Sequence, residues 1–220
     1  GLIDSSDPDC RCNAPVFSFR NPTLISGSAS AVGSVYEFSN VVPNTKARLT
    51  ILSKSHSDIV IHNIDEPASS YGGYDDAIQP IIDYNWINGG GSYDPAGEKS
   101  VTFQLDFIDA VSGGARQVPI IHMTGLDIDG STSEVREFFQ SGGFDAYEVQ
   151  SPTTLSLSGA LKAKGSLATY PGIDEDALST MISYVFYNKS SIVFTYGGDF
   201  NGNTSGFFDD SSPNNSDEKR

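Results

Sequence analysis

The stretch "GLDIDGSTSEVREFF", residues 125–139, holds the densest chemistry in the chain. Asp127 and Asp129 stand two apart, Gly130 follows, and Glu134 and Glu137 come next. On a strand, residues two apart leave the same face. Both carboxylates would then emerge together at a strand end, where Gly130 lets the chain turn. Hard cations such as calcium take about 6–8 oxygens, and calcium loops supply them as Asp-x-Asp, a glycine turn and a later Glu. The EF-hand spacing is not met: counted from Asp127, the glycine comes fourth rather than sixth and Phe138 stands twelfth. The expectation is instead a calcium site assembled from several loops, with Asp127, Asp129, Glu134, Asp65 and Asp106 as ligands. Glu66, Asp109 and Glu137 are further contributors. The competing reading is an acidic turn solvated by water or neutralised by Arg136.

A second constellation is aromatic. Tyr71, Tyr74, Tyr84, Trp86 and Tyr93 fall close together among Gly, Asn and Asp. Flat rings beside amides and carboxylates suit sugars, which have apolar faces and hydroxyl edges. Tyr74, Tyr84, Trp86 and Tyr93 are therefore candidate ligand-binding residues, against the alternative that Tyr84 and Trp86 serve the core. His56 and His62, six apart in "HSDIVIH", would share one face of a strand; a two-His metal site competes there with ordinary histidines. Glycosidase chemistry needs two carboxylates about 5–10 Å apart in a cleft. With 28 acids, some pair always meets that distance, and nothing marks one pair. No Gly-x-Ser-x-Gly elbow and no phosphate-cradling loop with a lysine occurs. The chain is read as a non-enzyme.

Composition narrows the partners. The 220 residues carry 13 Lys plus Arg against 28 Asp plus Glu, a formal charge of −15. So acidic a chain repels nucleic acids and anionic membranes and attracts divalent cations. No apolar run approaches the ~18 residues of a membrane span. Gly1-Leu2-Ile3-Asp4 turns polar at once, with no signal-peptide pattern, which predicts a mature or excised chain. Cys10 and Cys12, in "CRC", are too close for an unstrained mutual disulfide and too few for structural zinc. They read as free thiols or as partners of a cysteine elsewhere.

The elements that must position these groups are strands. In "SVTFQLDFIDA", Val101, Phe103, Leu105 and Phe107 share one face and Thr102, Gln104 and Asp106 the other. "VSGGAR" reads as a hairpin loop and "QVPIIHMTGLDID" as the return strand, giving a hairpin over 100–129. Further strands are expected at 16–21, 34–41, 47–54, 58–65, 80–87, 146–150, 153–165, 181–188 and 191–198, the last two joined as a hairpin. "STSEVREFFQSGG" has a serine cap and closing glycines and is read as a short helix. The fold class is all-β, a β-sandwich or jelly-roll-like domain of roughly ten to twelve strands with at most one or two short helices. Its expected bounds are 16–208, after an arm at 1–15 and before an acidic polar tail at 209–220.

"CRCNAPVFSF", "GGYDDAIQPIIDYNWINGGGSYDPAGEKSVTFQLDFIDA", "TGLDIDGSTSEVREFF" and "YEVQSPTTLSLSGALKAKG" together resemble adhesin-like surface proteins of gliding, flavobacteria-like Bacteroidetes exported by the type IX secretion system. The resemblance implies a β-sandwich displayed at the cell surface for adhesion or filament building, with Asp127 and Asp129 as calcium positions. It also implies an open sheet edge that a neighbouring subunit's strand fills. The expected function is an extracellular structural or adhesive module, calcium-stabilised. Its partners are other subunits or segments of the same surface protein, or surface glycans. The alternatives are a carbohydrate-binding module using the 71–93 aromatics and a glycan-active enzyme.

Overall fold

The computed structural model describes residues 14–67, 74–86, 94–131, 134–159, 161–170 and 175–202. Cys10, Cys12, Tyr71, Tyr93 and the expected tail lie outside them. Among the described residues there are fourteen strands, no α-helix, and one 3-10 helix at Glu175–Thr180. The all-β expectation holds.

The first half of the chain supplies β1 (Thr23–Ser26), β2 (Val35–Val42), β3 (Thr45–Lys54), β4 (Val60–Asn63), β5 (Ile81–Asp83) and β6 (Gly97–Asp109). The second supplies β7 (Val118–Gly125), β8 (Gly130–Ser131), β9 (Val135–Ser141), β10 (Ala146–Val149), β11 (Ser156–Ser158), β12 (Lys162–Lys164), β13 (Ile182–Lys189) and β14 (Ser191–Phe200). A nine-stranded antiparallel sheet runs β1-β2-β3-β6-β14-β9-β12-β11, with β8 on β9. Two smaller sheets, β10-β13-β7 and the ribbon β4-β5, complete the set.

Alternation builds the core between them. Val101, Phe103 and Phe107 of β6 are fully buried, as are Ala47, Leu49 and Ile51 of β3. They join Ile121, Ile182, Tyr184 and Phe186 of the three-stranded sheet and Ile61 and Ile82 of the ribbon in one cluster. Phe139 of β9 lies 5.7 Å from the Tyr184 ring and 6.0 Å from Phe194. The large sheet is therefore one layer, and the opposing layer comes in two pieces.

Five local expectations are corrected. The 100–129 hairpin exists only at its tip: Asp109 N–H donates to Gly114 O, and Arg116 N–H to Phe107 O, both within 2.9 Å. Beyond Arg116 the chain crosses, and β7 pairs with β13 in the other layer. The 181–198 hairpin is also a crossing, because β13 and β14 lie in different sheets. The helix expected at 131–143 is β9, which pairs with β14 along its length. Its adjacent Phe138 and Phe139 are both buried, on opposite faces: Phe139 enters the core, and the Lys162 ammonium sits 4.2 Å over the Phe138 ring. Two covered faces hide the alternation that would have signalled a strand. The strand expected at 153–165 is a hairpin, β11–β12, turned through Gly159 at φ 61° and Leu161 at φ 50°. Residues 16–21 form no strand.

Candidate functional site

A cleft of about 770 Å³ opens where the two-piece layer is incomplete. Its floor is the large sheet: Leu105 and Phe107 of β6, Ile192, Phe194 and Tyr196 of β14, and Glu137 of β9. One bank is Ile121, His122, Met123 and Thr124 of β7, continued by Leu126, Asp127 and Ile128. The other is the 76–82 strip running into β5, with Tyr74 and Tyr84. Phe17 and Phe19 add a third side. The Phe17 ring lies tilted 5.1 Å from Phe107 and Phe19 meets Phe38 edge-to-face at 5.4 Å, which fixes the N-terminal strip against the core.

Glu137 is the residue that makes this more than a packing gap. It shares its strand face with Phe139, two residues on, and that face looks into the sandwich. A carboxylate at an inward position of a central strand is the informative exception to apolar interiors. Its charge reaches two neighbouring phenols. Burial, reinforced by Glu137, raises the pKa of both Tyr84 and Tyr196. The Tyr phenols thus stay protonated and able to donate beside the carboxylate. Three carboxylates, from Asp76, Asp127 and Glu137, line the cleft, and among the described residues no Lys or Arg does. Asp76 is held down to about 2 by hydrogen bonds from Arg20 and Ser18.

The acidic motif separates into different tasks. Asp127, at φ 54°, lies on the cleft bank. Asp129 is fully buried. Its carboxylate accepts the Tyr170 N–H at 2.7 Å, and its backbone carbonyl accepts the Glu137 N–H at 2.8 Å. Gly130 allows a backbone crossing at this point: a Cβ there would lie 2.3 Å from Ser166 O. Glu134 is 2 % exposed, and its backbone carbonyl accepts from Asn201. Asp106 points to the outer face of β6, where Gln104 donates to both its oxygens at 2.9 and 3.0 Å. Among the described residues no three His, Cys, Asp or Glu side chains are placed to hold a metal ion. Asp127, Asp129, Glu134, Asp65 and Asp106, the ligands expected for calcium, are not gathered into one such group.

Asp65 sits in the turn after β4 and accepts the Gln79 N–H at 3.2 Å. Burial pushes its pKa from 3.8 up to about 6; the Gln79 bond opposes this, and Asp75 and Glu66 add to it. A folded pKa above the unfolded one means that ionisation costs stability. The cost is absent below about pH 4 and complete above about pH 6. Asp65→Asn should therefore raise stability at pH 8, by about 1 kcal/mol after allowance for solvent screening, and change little at pH 4. Urea denaturation of both proteins at the two pH values checks this.

Of the aromatic candidates, Tyr84 and the half-exposed Tyr74 line the cleft. Trp86 is 7 % exposed, its ring tilted against Phe200 at 5.6 Å and Tyr84 at 6.0 Å. It serves the core and offers no free face to a sugar. Tyr93 lies outside the described residues. His56 sits in a turn beside Ser55, and His62 lies on β4 at 3.6 Å from Asp83, so the two do not share a strand. Sequence reasoning missed Tyr196 and His122 as lining residues. It weighed Glu137 only as a calcium ligand, because a helical reading of 131–143 conceals which side chains face inward.

No family model and no curated protein matches the chain. Among solved structures it is similar to the N-terminal domain of the Streptococcus gordonii adhesin Sgo0707, with TM-score 0.48, 10 % identity and 85 % of this chain covered. It is also similar to the adhesin domain of PrgB from Enterococcus faecalis bound to DNA, with TM-score 0.45, 13 % identity and 77 % covered. The chain spans 62 % of the length of each. The likeness is one of strand layout, too distant to carry an argument about function.

Proposed function

We propose that this chain is an extracellular adhesive module of a bacterial surface protein, of the kind its motifs resemble, and that it recognises its partner in the cleft between the sheets. The observation that supports this is the cleft itself: a largely apolar hollow of about 770 Å³ with Glu137, Tyr84 and Tyr196 in its wall. Binding sites are typically concave, mostly apolar and furnished with a few placed polar groups.

Ala77 lines the cleft. Ala77→Trp should fill it and abolish binding to whichever ligand is recognised in a panel of immobilised glycans and extracellular-matrix proteins. Val111, 86 % exposed on a distant turn, supplies the control Val111→Trp. Binding that survives Ala77→Trp, in a protein with an unchanged thermal midpoint, would remove the cleft reading. A glycan hit that depends on Tyr74 would favour the carbohydrate alternative, with Tyr74 and Tyr84 as its platform.

A further inference from the structure

Resting on the cleft reading, we infer that the cleft takes an extended peptide segment carrying a lysine or arginine, added as a strand to the open edge of β7. Among the described residues β7 is the last strand of its sheet and pairs with β13 alone. On such an edge every second residue turns its N–H and C=O away from the sheet, at the spacing of another peptide strand. Four consecutive β7 residues, Ile121 to Thr124, line the cleft. Side chains of one face alone would contribute every second residue, so the unbroken run brings backbone as well as side chains of β7, the strand at the margin of its sheet, against the hollow. At about 3.3 Å per residue this stretch matches roughly four residues of a guest strand.

The floor selects the guest's side chains. An extended peptide directs alternate side chains to one face, and here that face meets Leu105, Phe107, Ile192 and Phe194. Among these apolar surfaces stands Glu137, flanked by the Tyr84 and Tyr196 rings. A lysine or arginine has an apolar stem and a cationic head, so it suits an aromatic wall that ends in a carboxylate. With three carboxylates and no Lys or Arg among the described lining residues, and −15 on the chain, the cleft complements a basic segment. A sugar would use the tyrosines but would leave the strand edge unmatched, which favours the peptide.

The probes are fluorescent hexapeptides of alternating valine and threonine with one central lysine, glutamine or glutamate, plus a lysine version N-methylated on alternate amides. The lysine peptide should bind about tenfold tighter than the glutamine one, the glutamate peptide should bind weakest, and N-methylation should abolish binding. Glu137→Gln, isosteric and checked by thermal midpoint, should erase the lysine preference. Amide exchange at Ile121–Thr124 should slow when the peptide is bound. Equal binding of the lysine and glutamate peptides, or binding indifferent to N-methylation, overturns the inference. If no peptide binds while Ala77→Trp still abolishes adhesion, the peptide class falls and the cleft reading stands. If Ala77→Trp is also silent, both fall.

Discussion

Gly165→Ala is expected to destabilise the domain by about 3 kcal/mol or more, measured as a fall in the urea midpoint. A Cβ at Gly165 would sit 2.3 Å from Asp129 O and 2.7 Å from both Asp129 C and Cα. All three atoms are backbone, so no side-chain rotation relieves the clash. The Asp129 segment cannot retreat. Its carbonyl binds the Glu137 N–H, Gly130 N–H donates to Ala168 O, and the Thr169 hydroxyl donates to Gly130 O at 2.7 Å. This is the work that the acidic motif does: Asp129 and Gly130 lock the 165–170 segment across β9. Gly142→Ala is the control, because a Cβ there meets nothing within 4 Å. It should change stability by less than about 0.5 kcal/mol.

Lys99→Met should have a comparable effect, about 3 kcal/mol, because it strands a buried charge cluster. The Lys99 side chain is 3 % exposed and pairs with Asp94 at 2.5 Å and Asp58 at 2.7 Å. Its ammonium also donates to the Tyr84 and Asn85 carbonyls at 2.8 Å each and lies 5.2 Å from the centre of the Trp86 ring. One cation thus ties three segments together. Asp58 is the more exposed acid, so most of the loss falls on the Asp94 side. Burial pulls the Asp58 pKa up, but the Lys99 hydrogen bond and charge together leave it below 3.8. A depressed carboxylate contributes stability above its unfolded pKa and loses it as pH falls through the folded value. Lys99→Met should therefore also flatten the acid limb of the stability profile. Since Lys99 holds the Tyr84 carbonyl, the variant should weaken cleft binding as well.

The strands were legible wherever one face is buried and the other wet. Val101, Phe103, Leu105 and Phe107 alternate with Thr102, Gln104 and Asp106, and the structure buries the first set. Connections were not legible in the same way. The tip at Asp109–Gly114 is a true turn with true hairpin bonds, and nothing local announces that β7 then leaves for the other layer. From β6 onward, every connection outside the β8–β9 and β11–β12 hairpins crosses between layers. A sequence shows turns; it does not show which sheet receives the next strand. β9 failed for a different reason, since Phe138 and Phe139 erase the period-two signal.

The site divides along the same line. Tyr74 and Tyr84 were visible as aromatics among polar neighbours, and both reach the cleft. Trp86 looked identical in sequence, yet it packs on Phe200. Composition does not say which ring faces inward. The carboxylates of the acidic motif drew attention for their spacing, but Asp127 and Asp129 do not act together: one lines the cleft and one holds the backbone of Tyr170. Glu137 became informative only after its strand and its inward face were known.

The measurement that bears most directly on the central claim is a hydrogen-exchange footprint of the chain bound to the ligand that the panel identifies. Slowed exchange at Ile121–Thr124 and along 76–82, with the outer face of the large sheet unchanged, is the predicted result. Protection confined to that outer face, or to the 109–114 turn, with the cleft banks exchanging as in the free protein, would contradict it.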